Sequence, residues 1–101
     1  MEPTRFDLEW DPVKAKQNLR KHGVSFEQAA TVLLDSRAMN LYDDEHSGDE
    51  DRWVTLGRSA HGTILVVVHT FNEQPDGNVS VRIISARRAV KREQQRYEAT
   101  L

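Results

Sequence analysis

Residues 63–71 read TILVVVHTF. The five from Ile64 to Val68 are all aliphatic, and four of them are β-branched. A run with no polar alternation has no side to show to water. It therefore reads as a strand covered on both faces, at the centre of a sheet. Its neighbours read as partners. Arg52 to Ser59 (RWVTLGRS) precedes it across Ala60-His61-Gly62, a loop with glycine where a hairpin needs positive φ. Asn72 to Asn78 (NEQPDGN) follows as a cluster of turn formers, and Val79 to Ser85 is the next strand. Short loops between consecutive strands predict an antiparallel meander. Ala38 to Tyr42 extends it, and Phe6 to Trp10 (FDLEW) suits a short edge strand.

Helix signals bracket these strands. Asp11-Pro12 supplies an N-cap and a proline at the first helical position, and Gly23 supplies a stop after His22. Ser25-x-x-Gln28 is a capping-box pattern. Phe26, Ala29, Ala30, Leu33 and Leu34 recur at helical spacing and predict a stripe facing the core. A terminal helix is expected from Ser85 or Arg87 to Ala99. Helices grouped before strands point to an α+β fold rather than alternating α/β. At 101 residues the chain fits one domain, residues 1–101. It has no cysteine, which removes disulfides and thiolate metal sites. MEPTRFDLEW contains no apolar run of signal-peptide length, so a cytoplasmic protein with no membrane partner is expected.

Net charge is −2, but it is unevenly placed. Asp43 to Asp51 (DDEHSGDED) carries six acidic side chains and neither lysine nor arginine. Arg82 to Arg96 carries six basic side chains against Glu93 alone. The bland reading is two solvated faces; the functional one is a basic surface for a polyanion. Strand parity places Val79, Val81 and Ile83 on one face, packed on the two N-terminal helices, and Arg82 on the other. Arg52 and Arg58 share a parity, so both can face one way. Arginine presents a planar fork matched to phosphate oxygens. The first helix adds Lys14, Arg20, Lys21 and His22.

The segments WDPVKAKQNLRKHGVSFEQAATVLLD, DDEH, EDRWVTLGRS and RIISARRAVKREQQRYE together resemble the BrnT family of toxins from type II toxin–antitoxin pairs. The resemblance spans about residues 6–98. Leu34, where the family often has an aromatic residue, is a mild variation, and the NEQPDGN turn looks longer than usual. The resemblance implies a RelE-like α+β fold, two N-terminal helices packed on an antiparallel sheet, with a C-terminal helix. It implies a metal-independent endoribonuclease that arrests growth. It also implies a BrnA-type ribbon-helix-helix antitoxin, which neutralises the toxin and carries the complex to operator DNA.

Cutting RNA without a metal requires a base for the 2′-OH, an acid for the leaving 5′ oxygen, and cations for the phosphorane. His22, His69 and Glu50 are the acid–base candidates. Arg82 and Arg87, with Arg52, are the candidates for stabilising phosphate charge. Lys21, Arg88, Lys91 and Arg92 are candidates for binding the RNA backbone. Each has a bland alternative: His69 as a bonded core histidine, His22 as a cation at a helix C-terminus, Glu50 as an ion-paired loop carboxylate, the arginines as surface ion pairs. Asp43-x-Glu45-x-Ser47-Gly48 resembles half a calcium loop, but Val54 stands where the bidentate glutamate belongs, so no metal or other cofactor is expected. The rival to a ribonuclease is a non-catalytic module whose basic surface binds an acidic partner or operator DNA.

Overall fold

The computed structural model describes residues 5–48 and 50–100, so Asp49 of the acidic run lies outside the described residues. Strand β1 (Phe6–Glu9) leads into helix α1 (Pro12–His22) and helix α2 (Phe26–Thr31), which tightens into a 3₁₀ turn at Val32–Leu34. Strand β2 (Met39–Tyr42), a second 3₁₀ turn (Asp44–His46), β3 (Arg52–Arg58), β4 (Ile64–Thr70), the two-residue β5 (Asn72–Glu73), β6 (Val79–Arg88) and helix α3 (Lys91–Glu98) complete the chain. The strand order is β1-β6-β4-β3-β2, with β5 also paired to β6. The β-branched run is thus central, flanked by β6 and β3. Pairing is antiparallel except at β1, which runs parallel to β6. That parallel pair departs from a purely antiparallel sheet. It follows from the chain returning to the far edge only after two helices and four strands.

The N-caps and the glycine stop form, but the capping box at Ser25 forms only by half, since Gln28 turns its side chain away from the Ser25 N–H. Asp11 Oδ1 accepts from Val13 N–H at 2.9 Å, and Gly23 closes α1 at φ 69°, where a side chain is strained. Ser25 Oγ accepts from Gln28 N–H at 3.0 Å. The Gln28 side chain reaches Ser59 Oγ, 3.4 Å away. The predicted second stripe is corrected at its end. Val32 is fully buried and Leu34 is 85% exposed. The cause is Gly57, where an added Cβ would lie 2.8 Å from Val32 Cγ1 and 3.0 Å from Ala38 Cβ. The chain tightens there to seat Val32 on the bare backbone of β3.

The main core lies between α1–α2 and one face of the sheet. Val24, Phe26, Ala29 and Val32 meet Leu65, Val67, Ile83 and Ala86, all nearly or fully excluded from water. Trp10 packs edge-on against Phe26, ring centres 6.0 Å apart. Burying an aliphatic or phenylalanine side chain contributes roughly 1.5–3 kcal/mol, so this cluster is the main apolar contribution to folding. A smaller cluster on the other face joins Ile64, Val66, Ala89 and Tyr97. It seats α3 over that end of the sheet.

The last strand is longer than the sequence suggests. It runs to Arg88, and the helix begins only at Lys91. Leu65, Val66 and Val67 of β4 supply partners for Arg88, Arg87 and Ala86, so backbone pairing prevails over helix propensity. Beyond Arg82, β1 no longer covers the outer edge of β6. Asn18 of α1 takes its place. Its Oδ1 accepts from Ala86 N–H at 3.1 Å, and its Nδ2 donates to Ala86 O at 2.8 Å and to Val24 O at 3.0 Å. An amide side chain thereby acts as one residue of a missing strand.

Candidate active site

The geometry turns on a β-bulge in β6. His69 pairs with Ile83 and Val68 with Ser85, leaving Ile84 without a partner. Arg82 and Arg87 are five residues apart, so an unbroken strand would send them to opposite faces. The extra residue reverses the parity. Ile83 and Ala86 both enter the main core, and Arg82 and Arg87 both stand on the opposite face. That face is open where α3 does not cover it. Arg52, whose strand partner is Thr70, shares it.

Glu50 joins this group from just before β3. Its Oε1 accepts from Arg82 Nη2 at 2.6 Å, and its Oε2 accepts from Asn72 Nδ2 at 2.9 Å. Hydrogen bonds from Arg82 and then Asn72 hold the Glu50 carboxyl below its usual value, helped by the charge of Arg52. Arg82 is further steadied through its backbone, its N–H donating to Thr70 Oγ1 at 3.1 Å. Arg87 makes a two-pronged pair with Glu93 of α3, at 2.8 and 2.9 Å. Glu93 also accepts from Val90 N–H at 2.9 Å, which caps α3. The hydrogen bond from Arg87 is the main reason the Glu93 carboxyl falls to about 2. Glu93 was not among the residues singled out from sequence. Its position three residues after Val90, in a helix start, was the available signal.

The structure brings Glu50, Arg52, Arg82 and Arg87 to one face and separates the histidines from them. His69 pairs with Trp53 and Ile83, on the helix side. It is buried, with Nδ1 3.0 Å from Thr70 O and Nε2 2.7 Å from Thr55 Oγ1, which is itself 2.6 Å from Asn40 Oδ1. Burial pushes the His69 pKa down, against the pull of the Thr70 carbonyl. Of the two readings the sequence leaves open for His69, the structure shows the hydrogen-bonded core histidine: one ring on a central strand can occupy only one face, and this one stands opposite the arginines. His22 is half buried at the end of α1, in its basic last turn with Arg20 and Lys21. Among the described residues no histidine hydrogen-bonds to Glu50, Arg52, Arg82 or Arg87.

The backbone-binding candidates scatter. Lys21 is exposed on α1, and Lys91 and Arg92 are exposed in the first turn of α3. Arg88 pairs with Leu65 and so points to the helix side of the sheet's end. Arg58 shares the open face but lies over the Tyr97 ring, 5.7 Å from its centre. Tyr97 OH donates to Asp35 Oδ2 at 2.6 Å, which also accepts from Arg58 N–H at 2.8 Å. Arg58 thus fastens α3.

A groove of about 600 Å³ lies on the helix side, lined by Phe6, Leu8, Leu34, Trp53 and Phe71, with Thr55 and His69. It contains none of the candidate arginines. No three histidine or acidic side chains among the described residues are grouped to hold a metal ion.

The comparisons with known proteins agree with this architecture. Residues 10–93 match the profile of a family described as the ribonuclease toxin, BrnT, of type II toxin–antitoxin systems. The chain belongs to the BrnT family. A search of curated proteins finds no match. Among solved structures, the Brucella abortus ribonuclease toxin BrnT, a crystal structure at 1.1 Å resolution, superposes with a TM-score of 0.60 at 21% identity. The match covers 87% of this chain and all of that one, which shows a common fold. Membership in the BrnT family places the chain in a toxin–antitoxin system, and a system of that kind implies an antitoxin partner. No helix among the described residues is long and apolar enough to cross a membrane.

Proposed function

We propose that this BrnT-family chain is a metal-independent endoribonuclease whose working surface is the open face of the sheet. The observation that carries this reading is the bulge at Ile84, which sets Arg82 and Arg87 on the same side as Arg52 and the Glu50 carboxylate. The attacking group is the RNA's own 2′-OH, so DNA of the same sequence resists. Glu50, held ionised, takes the 2′-OH proton. Arg52, Arg82 and Arg87 stabilise the charge that builds on the phosphorane, where fixed guanidinium groups act most strongly. Lys91 and Arg92, exposed in the first turn of α3, guide the backbone from the rim. As the 2′ oxygen bonds to phosphorus the bond to the 5′ oxygen breaks, and solvent water at this exposed face protonates the leaving oxygen; His69 and His22 both stand on the helix side, away from it.

The natural partner is a protein antitoxin of the ribbon-helix-helix, BrnA-type class. An acidic segment of it complements the arginine face, and contact with operator DNA runs through the antitoxin. The rival, a binding module without chemistry, draws support from the carboxylates that already engage Arg82 and Arg87, with no histidine hydrogen-bonded to either among the described residues.

Incubation of the purified, folded toxin with single-stranded RNA in EDTA decides between them. Cleavage leaving a cyclic 2′,3′-phosphate, with intact DNA controls and loss in Arg82→Ala, supports the ribonuclease. Salt-sensitive RNA binding with no cut strand overturns it in favour of the module.

A further inference from the structure

A guanidinium has five N–H groups on two usable edges. The end-on edge presents Nη1 and Nη2; the side edge presents Nε and Nη2. In Arg87 the end-on edge is taken, Nη1 by Glu93 Oε1 at 2.8 Å and Nη2 by Glu93 Oε2 at 2.9 Å. The second Nη1 proton points to Arg88 O, 3.3 Å away. Among the described residues, Nε–H and the second Nη2–H have no acceptor. These two donors lie on the same edge and form a fork of the spacing that two phosphoryl oxygens require.

Glu93 is held as firmly as it holds. Its Oε1 also accepts Val90 N–H, so its rotamer is tied to the first turn of α3. That helix is in turn anchored by Tyr97, buried and bonded to Asp35. Arg87 emerges from the strand end just past the bulge, half exposed. Without Glu93 its long side chain would sample many rotamers, and each binding event would have to select one.

We infer that Glu93 is a positioning residue for RNA cleavage: it grips the end-on edge of Arg87 so that the Nε/Nη2 edge faces the scissile phosphate. The inference rests on the ribonuclease reading above. It opposes the simpler idea that Glu93 competes with phosphate for Arg87. The two ideas differ in sign. Removing a competitor speeds cleavage; removing a positioning group slows it.

The test measures kcat and KM on one RNA oligonucleotide for the wild type, Glu93→Gln, Arg87→Ala and the double variant, in EDTA. Glutamine at position 93 can still accept from Val90 N–H, so the helix cap survives, and a thermal melt checks this. The expected result is a kcat roughly tenfold lower in Glu93→Gln with KM within about threefold, because orientation rather than binding is lost. In the Arg87→Ala background, read in long incubations with excess enzyme, the same substitution changes the rate less than about twofold. A faster Glu93→Gln, an unchanged one, or an equal loss in both backgrounds overturns the inference while leaving the ribonuclease intact. A wild type that cuts no RNA takes the ribonuclease reading, and the inference with it.

Discussion

The two faces of this sheet are built from the same six strands and have opposite characters. On the helix side, Leu65, Val67, Val81, Ile83 and Ala86 are almost wholly excluded from water, and even the polar residues Thr55 and His69 are buried and bonded. On the open side, Arg52, Arg82 and Arg87 are half buried, and their charges are set against Glu50 and Glu93. The contrast teaches where substitutions should be felt. Helix-side changes should cost stability and spare chemistry per folded molecule. Open-side changes should do the reverse, because partly exposed ion pairs contribute little to folding, about 0–1 kcal/mol each.

The largest effect expected is on the open side. Arg82→Ala should lower the RNA cleavage rate by roughly 10²–10³ while shifting stability by less than about 1 kcal/mol. Parallel kinetics and thermal melts check this, and a large loss of stability would blur the division of the faces. Asn18→Ala sharpens the comparison from the other side. It strands the buried N–H and C=O of Ala86, so a loss of about 2–4 kcal/mol is expected in denaturant titrations. Because Ala86 sits next to Arg87, this is the one helix-side change expected also to slow cleavage by the folded protein. Gly57→Ala should cost about 1–3 kcal/mol, since its Cβ meets Val32 and Ala38, with cleavage per folded molecule unchanged.

The smallest effect is a pH slope. The His69 pKa is depressed in the folded state, so its contribution is full above the unfolded value of about 6.5. It is lost as pH falls through the lower folded value. Stability of the wild type should therefore fall on acidification below about pH 6.5, and His69→Gln should flatten that part of the curve. Cleavage at neutral pH should stay within about threefold in that variant; a collapse of cleavage in folded His69→Gln would put the ring back into the chemistry.

Much of the fold was legible because its signals are local. Asp11-Pro12, Gly23 and Ser25 act through their nearest backbone neighbours, and the β-branched run of β4 needs cover on both faces wherever it lies. Ion pairing was a legible alternative for Arg82 and for Glu50, but which partner each takes was not, since 32 residues separate the two. Glu93 carries no signal of its own as the single acid in a basic stretch, and only its contact with Arg87 gives it meaning. The extent of β6 is hidden for a similar reason: Ala86, Arg87 and Arg88 have good helix propensity but are held extended by β4.

By itself the sequence determined the α+β class, the central strand, the helix caps and the side on which Arg82 stands. Those follow from spacing along the chain. Only the tertiary structure decided that Arg87 shares that side and that His69 does not. Side-chain direction in a strand alternates with a period of two, so one unpaired residue reverses everything beyond it, and whether a residue is left unpaired is settled by the neighbouring strand.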